Sequence, residues 1–455
     1  MKTTFGPTLI VLLFLCCGCA LAQTDTGTGD TGTPVQPGPK PAFTYPDALP
    51  SLDFLNAAVE NSSITLGIGA GVTYLSNTYG LNSNQDRVVT QITPSIRIQQ
   101  FRPRLSWNIG YAGGWQHYAQ VNGVSGPNNN NNLFSQNVSA GFLWQIAQHW
   151  QLSARNHFVY SANPFDSYIS STGTPTMNNP NPVAYYPVTQ FTLNNAIMSL
   201  THQLSKVDTL SFTGTSDLRQ TSNYNLVTAA PFYNLVSYGG LASYSHRLNP
   251  KLSLGAAYDY NSLDFGRGQQ RSGIQTISMT VDYLIRPNMT ISGWIGPTYT
   301  STKTTISIPI YLVQYNSLWS TSGGVNFGWQ GLRNSFRAGY SRRVLDGGGY
   351  IATSQVNALH AAYARMLTSK LNASVGAGYF HNVSTTLSAR TYNYGSINAS
   401  LTYKLARSLS ATAQYSYLRQ NPPNAILVPN ISRNVYSDNL VGVSISYTWS
   451  HPLGR

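Results

Sequence analysis

Glu60 is the only glutamate in this chain of 455 residues. Charge in general is scarce: Asp, Glu, Lys and Arg together make up 9% of the sequence, against about 25% in an ordinary soluble domain. Long solvent-exposed helices, which lean on Glu–Lys pairs, are not expected from such a composition. Long apolar runs are missing as well. Beyond the N-terminal segment no stretch reaches the roughly 18 consecutive apolar residues that a membrane-spanning helix needs. The three cysteines, Cys16, Cys17 and Cys19, are confined to that N-terminal segment, so a disulfide scaffold is excluded for the rest of the chain. Few charges without helical spans is the balance of a membrane β-barrel, whose apolar signal is spread over alternate residues.

The first 22 residues have the form of a secretory signal peptide: Met1-Lys2, an apolar core from Leu9 to Leu15, and Ala20-Leu21-Ala22 before Gln23. Cleavage is expected after Ala22, with Ala20 and Ala22 as the small residues of the site and Gln23 as the new N-terminus. The alternative is a lipoprotein signal acylated at Cys19. Residues 23–61 are rich in Thr, Gly, Asp and Pro. They cannot bury a core and read as a disordered periplasmic leader. Residues 62–455 form the remaining unit.

What fills that unit is strict alternation. In Ile397–Leu405, Ile397, Ala399, Leu401, Tyr403 and Leu405 share one face while Asn398, Ser400, Thr402 and Lys404 share the other. After the break at Ala406-Arg407-Ser408 the pattern resumes in Leu409–Tyr417. A period of two places successive side chains on opposite faces of a strand. The same pattern recurs in about eighteen stretches between Ser62 and Trp449, with sixteen as the lower count. Most exceed the roughly 9–11 residues that cross a bilayer as a strand. Their connections alternate between tight turns, such as Asn249-Pro250 and Thr368-Ser369, and longer polar segments, such as Ala162–Val188 and Gln420–Ser437. Tyr and Trp fall near both ends of the apolar faces, as rings with one apolar and one wet end do at membrane interfaces.

On this plan the chain resembles the bacterial outer-membrane β-barrel superfamily and, more narrowly, a porin-like barrel of unknown specificity. The resemblance covers about Ser62 to Trp449. It implies an all-β, antiparallel, up-and-down transmembrane barrel in the bacterial outer membrane. It also implies lipid and lipopolysaccharide around the barrel and the barrel assembly machinery as partners. Tyr447 and Trp449 occupy the alternate positions expected of a terminal aromatic signal, with Ser450–Arg455 following them.

No Ser–His or paired-carboxylate set stands out and no metal-ligand spacing is present, so neither an enzyme nor a metal or other cofactor is expected. The formal charge is +13, or +12 once Lys2 is removed (13 − 1). Its Lys and Arg residues are dispersed, which argues against nucleic acid as a partner. Arg97, Arg155, Arg219, Arg247, Arg337 and Lys404 fall on the inward phase with Asp217, Asp259 and Asp282. They are the pore-lining candidates. The expected function is passive passage of small hydrophilic solutes, anionic ones among them. The alternatives are a polysaccharide export barrel and a surface adhesion or structural barrel acting through its loops. In trimeric porins, which the plan resembles, the third outer loop narrows the lumen. The corresponding segment here, Ala162–Val188, carries Phe165, Asp166, Tyr168, Tyr185 and Tyr186 as constriction candidates.

Overall fold

Tight turns close each pair of strands at one end of the barrel, and side-chain oxygens hold several of them. Asn249 Oδ1 accepts from the amides of Lys251 and Leu252, both at 2.9 Å. Thr368 Oγ1 accepts from Lys370 and Leu371 at 3.2 and 3.0 Å. Ser205 Oγ does the same for Val207 and Asp208 at 3.1 and 3.0 Å. Each caps backbone donors that the hairpin ladder leaves over.

The computed structural model describes residues 62–76, 86–120, 132–161, 191–221, 234–266, 269–308, 310–347, 351–385, 391–421 and 436–453. They form eighteen strands. The first nine are β1 (Ser63–Leu75), β2 (Arg87–Phe101), β3 (Leu105–Gln120), β4 (Asn132–Ala147), β5 (Trp150–Ser161), β6 (Phe191–Gln203), β7 (Asp208–Thr221), β8 (Leu235–Asn249) and β9 (Leu252–Phe265). The others are β10 (Gln270–Arg286), β11 (Met289–Ile308), β12 (Ile310–Gln330), β13 (Asn334–Gly347), β14 (Ile351–Met366), β15 (Leu371–Ser384), β16 (Thr391–Lys404), β17 (Leu409–Asn421) and β18 (Tyr436–Pro452). Every strand pairs antiparallel with its sequence neighbours, and β18 returns to β1 from Leu440↔Leu75 to Pro452↔Ser63. Closure pairs each strand on both sides over most of the wall, which satisfies the backbone groups there; β12 outside Gly323 is paired with β11 alone. The all-β, antiparallel, eighteen-stranded barrel expected from the alternation is the observed fold. The last strand passes Trp449 and ends at Pro452.

The outward phase is apolar and exposed, as in Leu66, Ile68 and Val72 on β1 and Val441, Val443 and Ile445 on β18. The inward phase holds rows of hydroxyls bonded from strand to strand. Thr276, Thr298 and Ser322 link β10, β11 and β12 at 2.9 and 2.6 Å. Ser374 and Ser400 link β15 to β16 at 2.7 Å.

Two prolines stand inside strands, where the missing N–H breaks a ladder. Opposite Pro94 the β2–β3 register skips from Ile92↔Trp115 to Ser95↔Ala112. At Pro297 the β10–β11 register skips from Thr276↔Thr298 to Met279↔Ile295. Glycine accommodates both irregularities: a Cβ on Gly114 would lie 2.6 Å from the Ile92 carbonyl oxygen, and one on Gly296 would collide with that of Ile277.

The strands differ from the sequence expectation chiefly at their outer ends. Thr302–Asn316, expected as a connection, continues β11 and β12 as a hairpin paired up to Ile308↔Ile310. Of the expected connection Leu345–Ser354, residues 345–347 and 351–354 are strand as well.

Candidate functional site: the barrel interior

All nine pore-lining candidates project from the inner face of their strands, as the pairing register places them. One inward row runs unbroken across seven strands: Arg97, Gly110, Ser139, His157, Asn195, Asp217 and Ser237. Within it the Asp217 carboxylate accepts from the Asn195 side-chain amide and, at 3.1 Å, from the Ser237 hydroxyl. His157 Nε2 lies 3.0 Å from Asn137 Oδ1. Three inward arginines each face a glycine on the adjoining strand: Arg97↔Gly110, Arg155↔Gly141 and Arg337↔Gly328. The missing side chain beside each guanidinium leaves it room to extend into the interior.

The candidates do not share one environment. Arg97, Arg155, Arg247 and Asp282, nearer the tight-turn end, are exposed to the interior. Arg219, near the opposite end, is buried. Asp217, Asp259, Arg337 and Lys404 are half-buried, and Asp259 accepts from the Asn261 amide at 2.7 Å. Three further inward charges extend the set: Arg87, Arg343 and Asp438. The Arg343 guanidinium lies 4.9 Å above the Trp294 ring, and Trp294 itself is packed against Ala257 and Leu241 on the wall. Arg343 shares the phase of Arg337 six residues earlier on β13, so alternation alone could have found it. Arg87 and Asp438 sit at strand ends, where the phase is hardest to read from a sequence.

The outer end of the interior is occupied by the β13–β14 hairpin. β12 pairs with β13 only from Gly323↔Arg342 to Gln330↔Ser335. Beyond Arg342 the hairpin leaves the wall and contacts strands that are not its neighbours. Arg219 on β7 donates to Asp346 on β13 at 3.3 Å. The hydroxyls of Ser272 on β10 and Thr353 on β14 lie 2.7 Å apart. Val344 and Ala352 share an apolar cluster with Leu235, Leu263, Phe265 and Ile274 from β8–β10. Ile351 joins another cluster with Phe380, Tyr392, Tyr394 and Leu418 from β15–β17. Beside the hairpin the Asn316 side-chain amide donates to the Thr385 carbonyl at 3.1 Å and the Thr385 amide donates to that of Thr353 at 3.1 Å. Ile351, Ala352, Thr353 and Ser354 are all buried. Both faces of this segment are covered, and the alternation that marks a lipid-facing strand is absent there. That loss of alternation was the available sequence signal.

No family model matches the chain. No curated protein matches it either. Among solved structures it is similar to OccK5 (OpdH) of Pseudomonas aeruginosa, at 10% identity over 86% of this chain and 99% of that one, with a TM-score of 0.42. It is also similar to OpdK of Pseudomonas aeruginosa, solved with vanillate, at 12% identity over 86% and 100% of the two chains, with a TM-score of 0.41. A third similar structure is OccAB3 of Acinetobacter baumannii, at 8% identity over 86% and 100%, with a TM-score of 0.42.

The signal-site residues Ala20, Ala22 and Gln23 lie outside the described residues. So do the constriction candidates Phe165, Asp166, Tyr168, Tyr185 and Tyr186. Among the described residues no three His, Cys, Asp or Glu side chains are grouped to hold a metal ion.

Proposed function

We propose that the chain is a bacterial outer-membrane channel for passive passage of small hydrophilic solutes, with a preference for anions. The division of the closed wall supports it: apolar side chains outside and a hydroxyl- and amide-rich face inside. A bilayer solvates the first and water the second. The tight turns face the periplasm in this reading, and the longer connections face outward. Inward charge supports the anion preference. Among the described residues the inner face carries Arg87, Arg97, Arg155, Arg219, Arg247, Arg337, Arg343 and Lys404. Opposite them in sign are Asp217, Asp259, Asp282, Asp346 and Asp438. Basic side chains within low-dielectric walls raise the local concentration of anions. The β13–β14 hairpin is the constriction, and solutes pass beside it or when it shifts. Insertion runs through the barrel assembly machinery, and the chemistry is transport without catalysis.

Single-channel recording of the refolded protein in planar bilayers tests this reading. Stepwise conductance with a reversal potential on the anion side is the expected result. A folded barrel with no conductance, even after the hairpin is freed, would favour a surface or structural barrel instead.

A further inference from the structure

The outward face of β9–β12 differs from the rest of the wall near its outer end. Register aligns Asp264, Arg271, Lys303 and Tyr315 in one outward row across these strands. The next row toward the membrane is Ser262, Gly273, Ser301 and Ser317, all small. The row below that is Tyr260, Gln275, Tyr299 and Trp319. The small row is therefore a trough walled by cations above and aromatic rings below, and it bounds a cavity of about 480 Å³. Gly273 keeps its centre open, since a Cβ there would lie 3.3 Å from Ser301 Oγ.

Both cations are held at the trough with donors to spare. Arg271 Nε bonds Asp264 Oδ2 at 2.8 Å, and its side chain remains 68% exposed. Its two Nη groups have no bond among the described residues. Lys303 Nζ lies 5.8 Å from the centre of the Tyr315 ring. Asp264 offsets one charge, so the row is net positive by one (2 − 1). Tyr299 and Trp319 pack at 5.1 Å as the lower wall. Beneath them stand Ile277, Met279 and Ile295, whose exposures of 61%, 75% and 68% place them among the most prominent apolar side chains of the outer wall.

We infer that this trough is a binding site for one phosphorylated glycolipid of the outer leaflet. The inference rests on the outer-membrane orientation proposed above. The order of chemistry along the strand follows that of such a lipid. A phosphate meets Arg271 and Lys303 through charge-assisted bonds, the sugar lies over the serines and stacks on Tyr260 and Trp319, and the acyl chains run along Ile277, Met279 and Ile295. Successive outward rows are separated by about 6.6 Å, two strand residues, so head and chains reach their partners within one molecule. A soluble anion would use the cations alone and leave the exposed apolar ridge uncovered.

Native mass spectrometry of the detergent-solubilised barrel, titrated with bis-phosphorylated lipid A, reads the site. Wild type should retain one lipid A per barrel. Affinity should fall at least about tenfold in Arg271→Gln/Lys303→Gln, which loses two charge-assisted contacts. It should also fall in Ser301→Trp, which fills the trough and keeps both cations. Arg342→Gln, on the outward face of β13, should bind as wild type does, and dephosphorylated glycolipid should not distinguish Arg271→Gln/Lys303→Gln from wild type. Equal binding of lipid A by all four overturns the inference. So does inorganic phosphate binding with the same variant dependence as lipid A, or a dimer that Ser301→Trp abolishes. Heat-modifiable gel mobility identifies which variants are folded barrels, and the two trough variants test the site independently. Failure of the underlying orientation shows separately, as wild-type barrel that does not insert into vesicles.

Discussion

Arg219 and Asp346 meet at 3.3 Å inside the barrel, although five strands, β8 to β12, separate β7 from β13 in the wall. The side chains are 3% and 15% exposed, so this is an interior ion pair, and removing one member of such a pair is costly. Arg219→Ala should weaken hairpin docking by up to roughly 3–5 kcal/mol. Single-channel traces should then show larger or more fluctuating conductance. Traces identical to wild type would mean that the hairpin holds its place without the pair.

Ser272 and Thr353 offer a covalent version of the same test. Their hydroxyls are 2.7 Å apart, which brings the two positions close enough for a disulfide. A Ser272→Cys/Thr353→Cys barrel should conduct less when oxidised and recover on reduction. Gel shift of a peptide fragment establishes whether the bond formed; a formed bond with unchanged conductance argues that the hairpin need not move.

Interior charge should set ion preference. Arg97 and Arg155 are exposed to the interior and form no salt bridge among the described residues. Arg97→Glu/Arg155→Glu should lower the anion-to-cation permeability ratio severalfold, read from reversal potentials under a salt gradient, and the effect should shrink at high salt. A ratio that does not move would remove these residues from the conduction path.

Leu401, Ala413 and Val443 form one outward row across β16–β18. Arginine at Leu401 or Val443 should cost roughly 2–4 kcal/mol near the midplane. Arginine at Ser400 or Ser444, one residue away on the inner face, should be tolerated. Equal loss in urea titrations of the refolded variants would show that the two faces are wrongly assigned.

Gly296 tests the break at Pro297. A Cβ at this position meets the Ile277 carbonyl oxygen, and backbone cannot swing aside as a side chain can. Gly296→Val should destabilise by roughly 1–3 kcal/mol through forced backbone shifts. Gly214→Ala, where a Cβ meets nothing within 4 Å, should be close to neutral in the same unfolding measurement.

Alternation by itself determined the strands, their number, the antiparallel order and which side chains face lipid. The reason is physical. In a barrel spanning a bilayer each wall residue answers to one of two solvents, and a one-residue slip would put a whole strand's serines into lipid. Arg97, Arg155 and Asp282 could therefore be assigned to the inner face from the phase they share with Ser95, Ser153 and Thr280, two residues before them. Tertiary structure decided what alternation does not encode. Arg219 and Asp346 lie 127 residues apart, and no local pattern pairs them. Beyond Arg342 the described part of the β13–β14 hairpin turns inward, where Ile351 packs with Phe380 and Tyr392 and Ala352 with Phe265 and Ile274. The trough at Gly273 likewise arises only when three small residues from β9, β11 and β12 fall into register with it. Composition could name these residues, but strand registry and barrel closure placed them side by side.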